Sequence, residues 1–120
     1  MILRVDGIPP SWNKIMRMNQ YEQNSEAKKW HAIVCMSAKQ QGVKDRFAEK
    51  KRVTLEYHFD NAYRHDPDNY SGKFIMDGLV KAGILRDDDF RHVELLVRAG
   101  KICRDDPHVL VHIEDLEGIA

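Results

Sequence analysis

From Val53 to Phe59 the chain alternates, with Val53, Leu55, Tyr57 and Phe59 apolar and Thr54, Glu56 and His58 polar. A period of two belongs to a strand with one buried face, and this is the best strand pattern in the chain. Shorter runs predict strands at Ile2–Val5, bounded by Asp6-Gly7, and at His92–Val97 and Val109–Ile113, which are separated by Gly100-Lys101 and Asp105-Asp106-Pro107. Two other stretches recur at the helical period. Ala27, Trp30, Val34, Ala38 and Gln41 trace one face of a helix over Ser25–Gln41, ended by Gly42. Phe74, Ile75, Leu79, Val80 and Ala82 define a second, with Asp68 or Asn69 as its cap and Gly83 as the left-handed residue past its end.

The intervening stretches carry no such period. Ile8 to Lys14 holds Pro9 and Pro10 and reads as a loop, with Trp12 anchoring it to the core. Residues 43 to 52 read as a charged surface connection, with Lys50-Lys51-Arg52 its most basic run, and Glu114–Ala120 reads as a frayed tail. The order strand, helix, strand, helix, strand, strand predicts an α+β fold. It is a small single domain over residues 1–120, with a mixed or antiparallel sheet packed against two helices.

The 120 residues suffice for one core, and 42% hydrophobic against 32% charged residues fits a soluble globule. No run approaches the roughly 18 apolar residues of a membrane span, and the start lacks the pattern of a signal peptide, so a cytoplasmic protein with no membrane partner is expected. Cys35 and Cys103 have no zinc-like spacing. His31 and Cys35, four apart on a helix, are the nearest approach to a metal pair. Net charge is zero but segregated: residues 1–52 hold 11 Lys and Arg against 5 Asp and Glu, and the remainder holds 8 against 14. Cations in one part and acids in another are compatible with a phosphate-rich partner.

The acids flank the second helix. Asp66 and Asp68 precede it, and Asp87, Asp88 and Asp89 follow it. A helix of about 14 residues is only about 20 Å long, so the two clusters can meet if the chain folds back. Meeting, they would form an oxygen cage for a hard divalent cation, built from Asp66, Asp68 and one or two of Asp87, Asp88 and Asp89. The competing reading makes Asp66-Pro67-Asp68-Asn69 a capped turn and the Asp triplet a solvated loop. A calcium-binding EF-hand loop does not fit. Asp66, Asp68 and Asp77 occupy its positions one, three and twelve, but Ser71 stands where the sharp-turn glycine belongs and the closing Glu is missing.

The pieces Asp66-x-Asp68-Asn69, Lys73, Asp77-Gly78-Leu79, Lys81-Ala82-Gly83 and Asp87-Asp88, with Pro9-Pro10-Ser11-x-Asn13 upstream, resemble the RusA family of Holliday junction resolvases. The resemblance runs through most of the chain, and its specificity lies in residues 66 to 88. It implies a crossover junction endodeoxyribonuclease: a magnesium-dependent homodimer, with Mn2+ as a substitute, that resolves four-way DNA junctions by paired nicks in recombination and repair. It implies that Asp66, Asp68 and Asp88 bind metal and that Lys73 is catalytic or contacts phosphate. Asp87 is a further candidate metal ligand, and Lys14, Arg17, Arg64 and Lys73 are the candidate DNA contacts. One departure stands out. Lys73 follows Asp68 by five residues, where the best-known members have four, while the Lys73 to Asp77 spacing is kept.

Two other readings compete. A non-catalytic junction-binding protein would use the acids structurally. An enzyme acting on a nucleotide-sugar diphosphate would use the Asp-x-Asp pair, but the chain lacks both the length for the usual nucleotide-binding domain and a glycine-rich phosphate loop.

Overall fold

The computed structural model describes residues 1–43 and 50–116. Their order is β1 (Ile2–Asp6), α1 (Trp12–Met16), α2 (Gln20–Gln40), β2 (Lys51–His58), a single 3-10 turn (Pro67–Asn69), α3 (Lys73–Lys81), β3 (Val93–Ala99) and β4 (His108–Asp115). The strands form one mixed sheet in the order β1-β4-β2-β3. β4 pairs antiparallel with β1 and β2, and β3 runs parallel to β2. A parallel neighbour needs a crossover, and the segment containing α3 supplies it.

Strand alternation divides the sheet into two unlike faces. Leu3, Val5, Val53, Leu55, Tyr57, Val109, Val111 and Ile113 are all buried on one face. Trp30, Val34 and Ala38 from α2 and Phe74, Ile75, Met76 and Leu79 from α3 complete that core. The opposite face carries Arg52, Glu56, Glu94, Arg98 and His112, tied by Arg52–Glu94 at 3.1 Å and Arg98–Glu56 at 2.8 Å. Burial of the apolar face fixes the register, because a shift by one residue would exchange the two faces.

The expected α+β class and its principal elements are present, with several corrected boundaries. The Ile8–Lys14 loop gives way to a short helix, α1, because Ser11 caps it: its side chain accepts from the Lys14 N–H. Ile15 is the buried anchor of this segment, whereas Trp12 remains 42% exposed. α2 begins at Gln20 rather than Ser25, started by a capping box in which Asn19 and Glu22 satisfy each other's backbone N–H groups.

Lys51 and Arg52 belong to β2, not to a surface connection. Lys51 is buried and paired with Asp115 at 2.8 Å, which extends β4 through residues expected to be a frayed tail. Phe59 falls just outside β2, and β3 spans Val93–Ala99 rather than His92–Val97. The rest of the charged connection, residues 44–49, and the terminal 117–120 lie outside the described residues. Among the described residues, no helix is long and apolar enough to cross a membrane.

Candidate functional site

β2 delivers the chain to the 60–66 loop, and four rings hold that loop down. Phe59 stacks on His65 with centroids 3.8 Å apart, and Tyr70 meets the edges of Phe59 and Tyr57 at 5.0 and 5.4 Å. His65 is fixed at both nitrogens, with Asn61 Oδ1 at 2.9 Å and Tyr70 OH at 3.2 Å. Asp66 follows at the start of the 3-10 turn, where Arg64 donates to it at 3.0 Å, and Asp68 lies within the turn. Both carboxylates are exposed.

The expected cap at Asp68 or Asn69 does not form, since α3 starts only at Lys73, with Gly72 as its N-cap. Asn69 accepts instead from the Asn13 N–H at 2.8 Å, so the Pro9–Asn13 segment is joined to the acid-bearing turn. Gly72 takes φ +72°, and a Cβ there would lie 2.2 Å from Leu55 Cδ1. Only glycine tolerates both conditions. This left-handed contact with β2 precedes Lys73, which stands on the first turn of α3, 3.7 Å from Asp77 one turn on.

Past α3, Gly83 turns the chain at φ +76° and Ile84 and Leu85 are buried, so the segment folds back. The return brings Asp88 and Asp89 into an open cleft of about 570 Å³ with Ser71, Lys73, Met76, Val93 and Leu95. Asp88 and Asp89, from beyond the end of α3, thereby line one cleft with Lys73 from its start. Asp88 is held above the usual carboxylate range, first by burial, then by the charge of Asp77 and a hydrogen bond with Asp87. Asp89 is held below it by its hydrogen bond to His92.

A hard cation would relieve the crowding at Asp88, and Asp66, Asp68, Asp87 and Asp88 offer it oxygen, the donor Mg2+ prefers. The gathering is incomplete, however. Asp66 lines a different, small recess beside Tyr57, Phe59, His65 and Tyr70. Among the described residues, the groups with one ligand atom each mutually within 4.8 Å are Asp87, Asp89 and His92, and His58, Cys103 and His108. Asp66, Asp68 and Asp88 do not form such a group.

The candidate DNA contacts Lys14, Arg17, Arg64 and Lys73 are all exposed, with Lys14 and Arg17 on or beside α1. His31 and Cys35 do not join a metal group, and burial lowers the pKa of His31. Sequence reasoning missed Ser71, Phe90 and Glu94 as residues lining the cleft. The strand period on β3 signals a polar Glu94, but its place at the cleft follows only from the parallel pairing of β3 with β2. The chain matches no protein-family model and no curated protein.

Proposed function

We propose that the protein is a Mg2+-dependent, structure-selective endonuclease that resolves four-way DNA junctions by paired nicks, acting as a homodimer. The observation that carries the reading is the meeting of Lys73 and Asp88 in one open cleft, with the Asn69 turn and the Pro9–Asn13 segment bonded together alongside. These are the segments on which the resemblance to RusA resolvases rests, and they lie far apart in sequence.

Asp66, Asp68 and Asp88, with Asp87 behind them, would hold the cation, and Mn2+ would serve in place of Mg2+. When bound, it supplies water activation and charge neutralisation at the phosphate. The chain's own residues do the rest. Lys73 places an ammonium on the first turn of a nine-residue helix, where Asp77 restrains its direction, and so offers a fixed charge to the phosphate as negative charge builds on it. Lys14, Arg17 and Arg64 offer exposed cations for neighbouring phosphates. A two-fold dimer supplies one site for each of two cuts. The cytoplasm is the compartment that suits a DNA substrate and two free thiols, Cys35 and Cys103.

One observation favours a second reading. Asp66, Asp68 and Asp88 are not gathered to ligand distance, as a protein that binds junctions without cutting them would allow. The deciding experiment incubates the protein and Asp68→Asn with a labelled four-way junction and a matched duplex, in Mg2+ or EDTA. Symmetrical nicks on the junction alone, requiring Mg2+ and lost in Asp68→Asn, sustain the nuclease reading. Metal-independent binding without nicks, under several metals and junction sequences, replaces it with the second.

A further inference from the structure

On the sheet face away from the helices, His58 at the end of β2 and His108 at the start of β4 are cross-strand partners, and both are buried. The connection from β3 to β4 passes over them. Gly100 makes this possible, since a Cβ there would come within 2.3–2.8 Å of the His58 ring. The Gly100 N–H donates to Tyr57 O and the Cys103 N–H to Phe59 O, each at 2.8 Å, so Cys103 is fixed beside the pair. One ring nitrogen of each histidine and Cys103 Sγ lie within 4.8 Å of one another.

We infer that His58, Cys103 and His108 form a binding site for a borderline divalent cation of the Zn2+ type, separate from the carboxylate cleft. Two imidazoles and a thiolate are ligands that Zn2+ accepts and Mg2+ does not. Each ring is already oriented by its other nitrogen. His58 Nε2 lies 2.6 Å from Glu56 Oε2, so with Nε2–H donating to that carboxylate, Nδ1, 4.0 Å from Cys103 Sγ, becomes a ligand once it gives up its proton and its contact with the Lys101 carbonyl. His108 Nδ1 lies 2.7 Å from Asp106 O, which leaves Nε2 as its ligand. A carboxylate or carbonyl behind each ligating histidine is the usual support of a metal site.

Two contacts must yield. The Lys101 carbonyl lies 2.8 Å from His58 Nδ1 and 3.7 Å from Cys103 Sγ, and the two rings stack nearly parallel, 7° apart with centroids at 4.4 Å. An ion in the plane of one ring is out of the plane of the other, so loading turns one imidazole about χ2, a soft torsion. Cys103 gives its thiol proton to solvent as the sulfur–metal bond forms. Three protein ligands leave a fourth position for water. The bound ion ties together the end of β2, the β3–β4 connection and the start of β4, immediately before the loop that carries Asp66.

The test titrates metal-free protein with Co2+ in excess Mg2+. One Co2+ per chain, a thiolate-to-cobalt charge-transfer band that Zn2+ erases, and a rise in Tm of about 5 °C or more are expected. Cys103→Ser, checked for folding by circular dichroism, should lose the band, and Cys35→Ser should keep it. In the wild-type protein, Zn2+ should slow alkylation of Cys103 at least tenfold, a readout that needs no variant. Absence of the band, its survival in Cys103→Ser, or unchanged alkylation overturns the site. None of these outcomes depends on whether the protein cuts DNA.

Discussion

Among the described residues, the two places proposed to take a cation are built in opposite ways. The carboxylate region is exposed, strung across the 3-10 turn, the start of α3 and the segment after it, and its acids are only partly brought together. The His58–Cys103–His108 group sits on paired strands, largely buried and held at its edges by hydrogen bonds. An open site with repelling charges suits a hard ion that arrives with its substrate. A closed one with neutral and soft ligands suits an ion that stays.

The largest effect that would sharpen this contrast is expected from Asp68→Asn. Junction nicking in Mg2+ should fall at least about 100-fold, with junction affinity within a few-fold and the cobalt band retained. If nicking and the band fell together, the two regions would be one system. Lys73→Ala should lower the single-turnover cleavage rate by about 10²-fold without changing the Mg2+ concentration needed for half-maximal rate. A shifted Mg2+ requirement would instead make Lys73 part of the cation's surroundings.

Gly72→Ala tests the link between β2 and α3. A left-handed alanine pressed into Leu55 should cost roughly 2 kcal/mol or more, read by urea denaturation. The smallest effect concerns Asp88. Its folded-state pKa is raised above the unfolded value, so its ionisation opposes folding; this one group's contribution to metal-free stability should improve as pH falls through the carboxylate range, against the opposite contributions of Glu56, Asp89 and Asp106, whose pKa values are lowered. Asp88→Asn should therefore raise Tm slightly at neutral pH in EDTA, with the gain shrinking toward acid pH.

Particular residues show how far the sequence could be read. The Val53–Phe59 alternation located β2, and the recurrence of Trp30, Val34 and Ala38 located the buried face of α2, because each pattern reports which side of a local element meets the core. Gly83 announced the end of α3 through its backbone freedom. The start of α2 was missed because Asn19 and Glu22 act through a capping box that begins eight residues before Ala27, the first position of the apolar face. Lys51 looked solvated because its partner, Asp115, lies 64 residues away.

The sequence by itself determined the principal elements, their buried faces and the identity of the acids that flank α3, since all of these are written in residues a few positions apart. Only the tertiary structure decided which distant groups share a site. The turn at Gly83 brings Asp88 back to Lys73, and the antiparallel register of β2 with β4 puts His58 against His108. The spacing of His58, Cys103 and His108 along the chain carries no local signal. What joins them is strand pairing and the passage of Gly100 over an imidazole, contacts set by the packing of the whole chain.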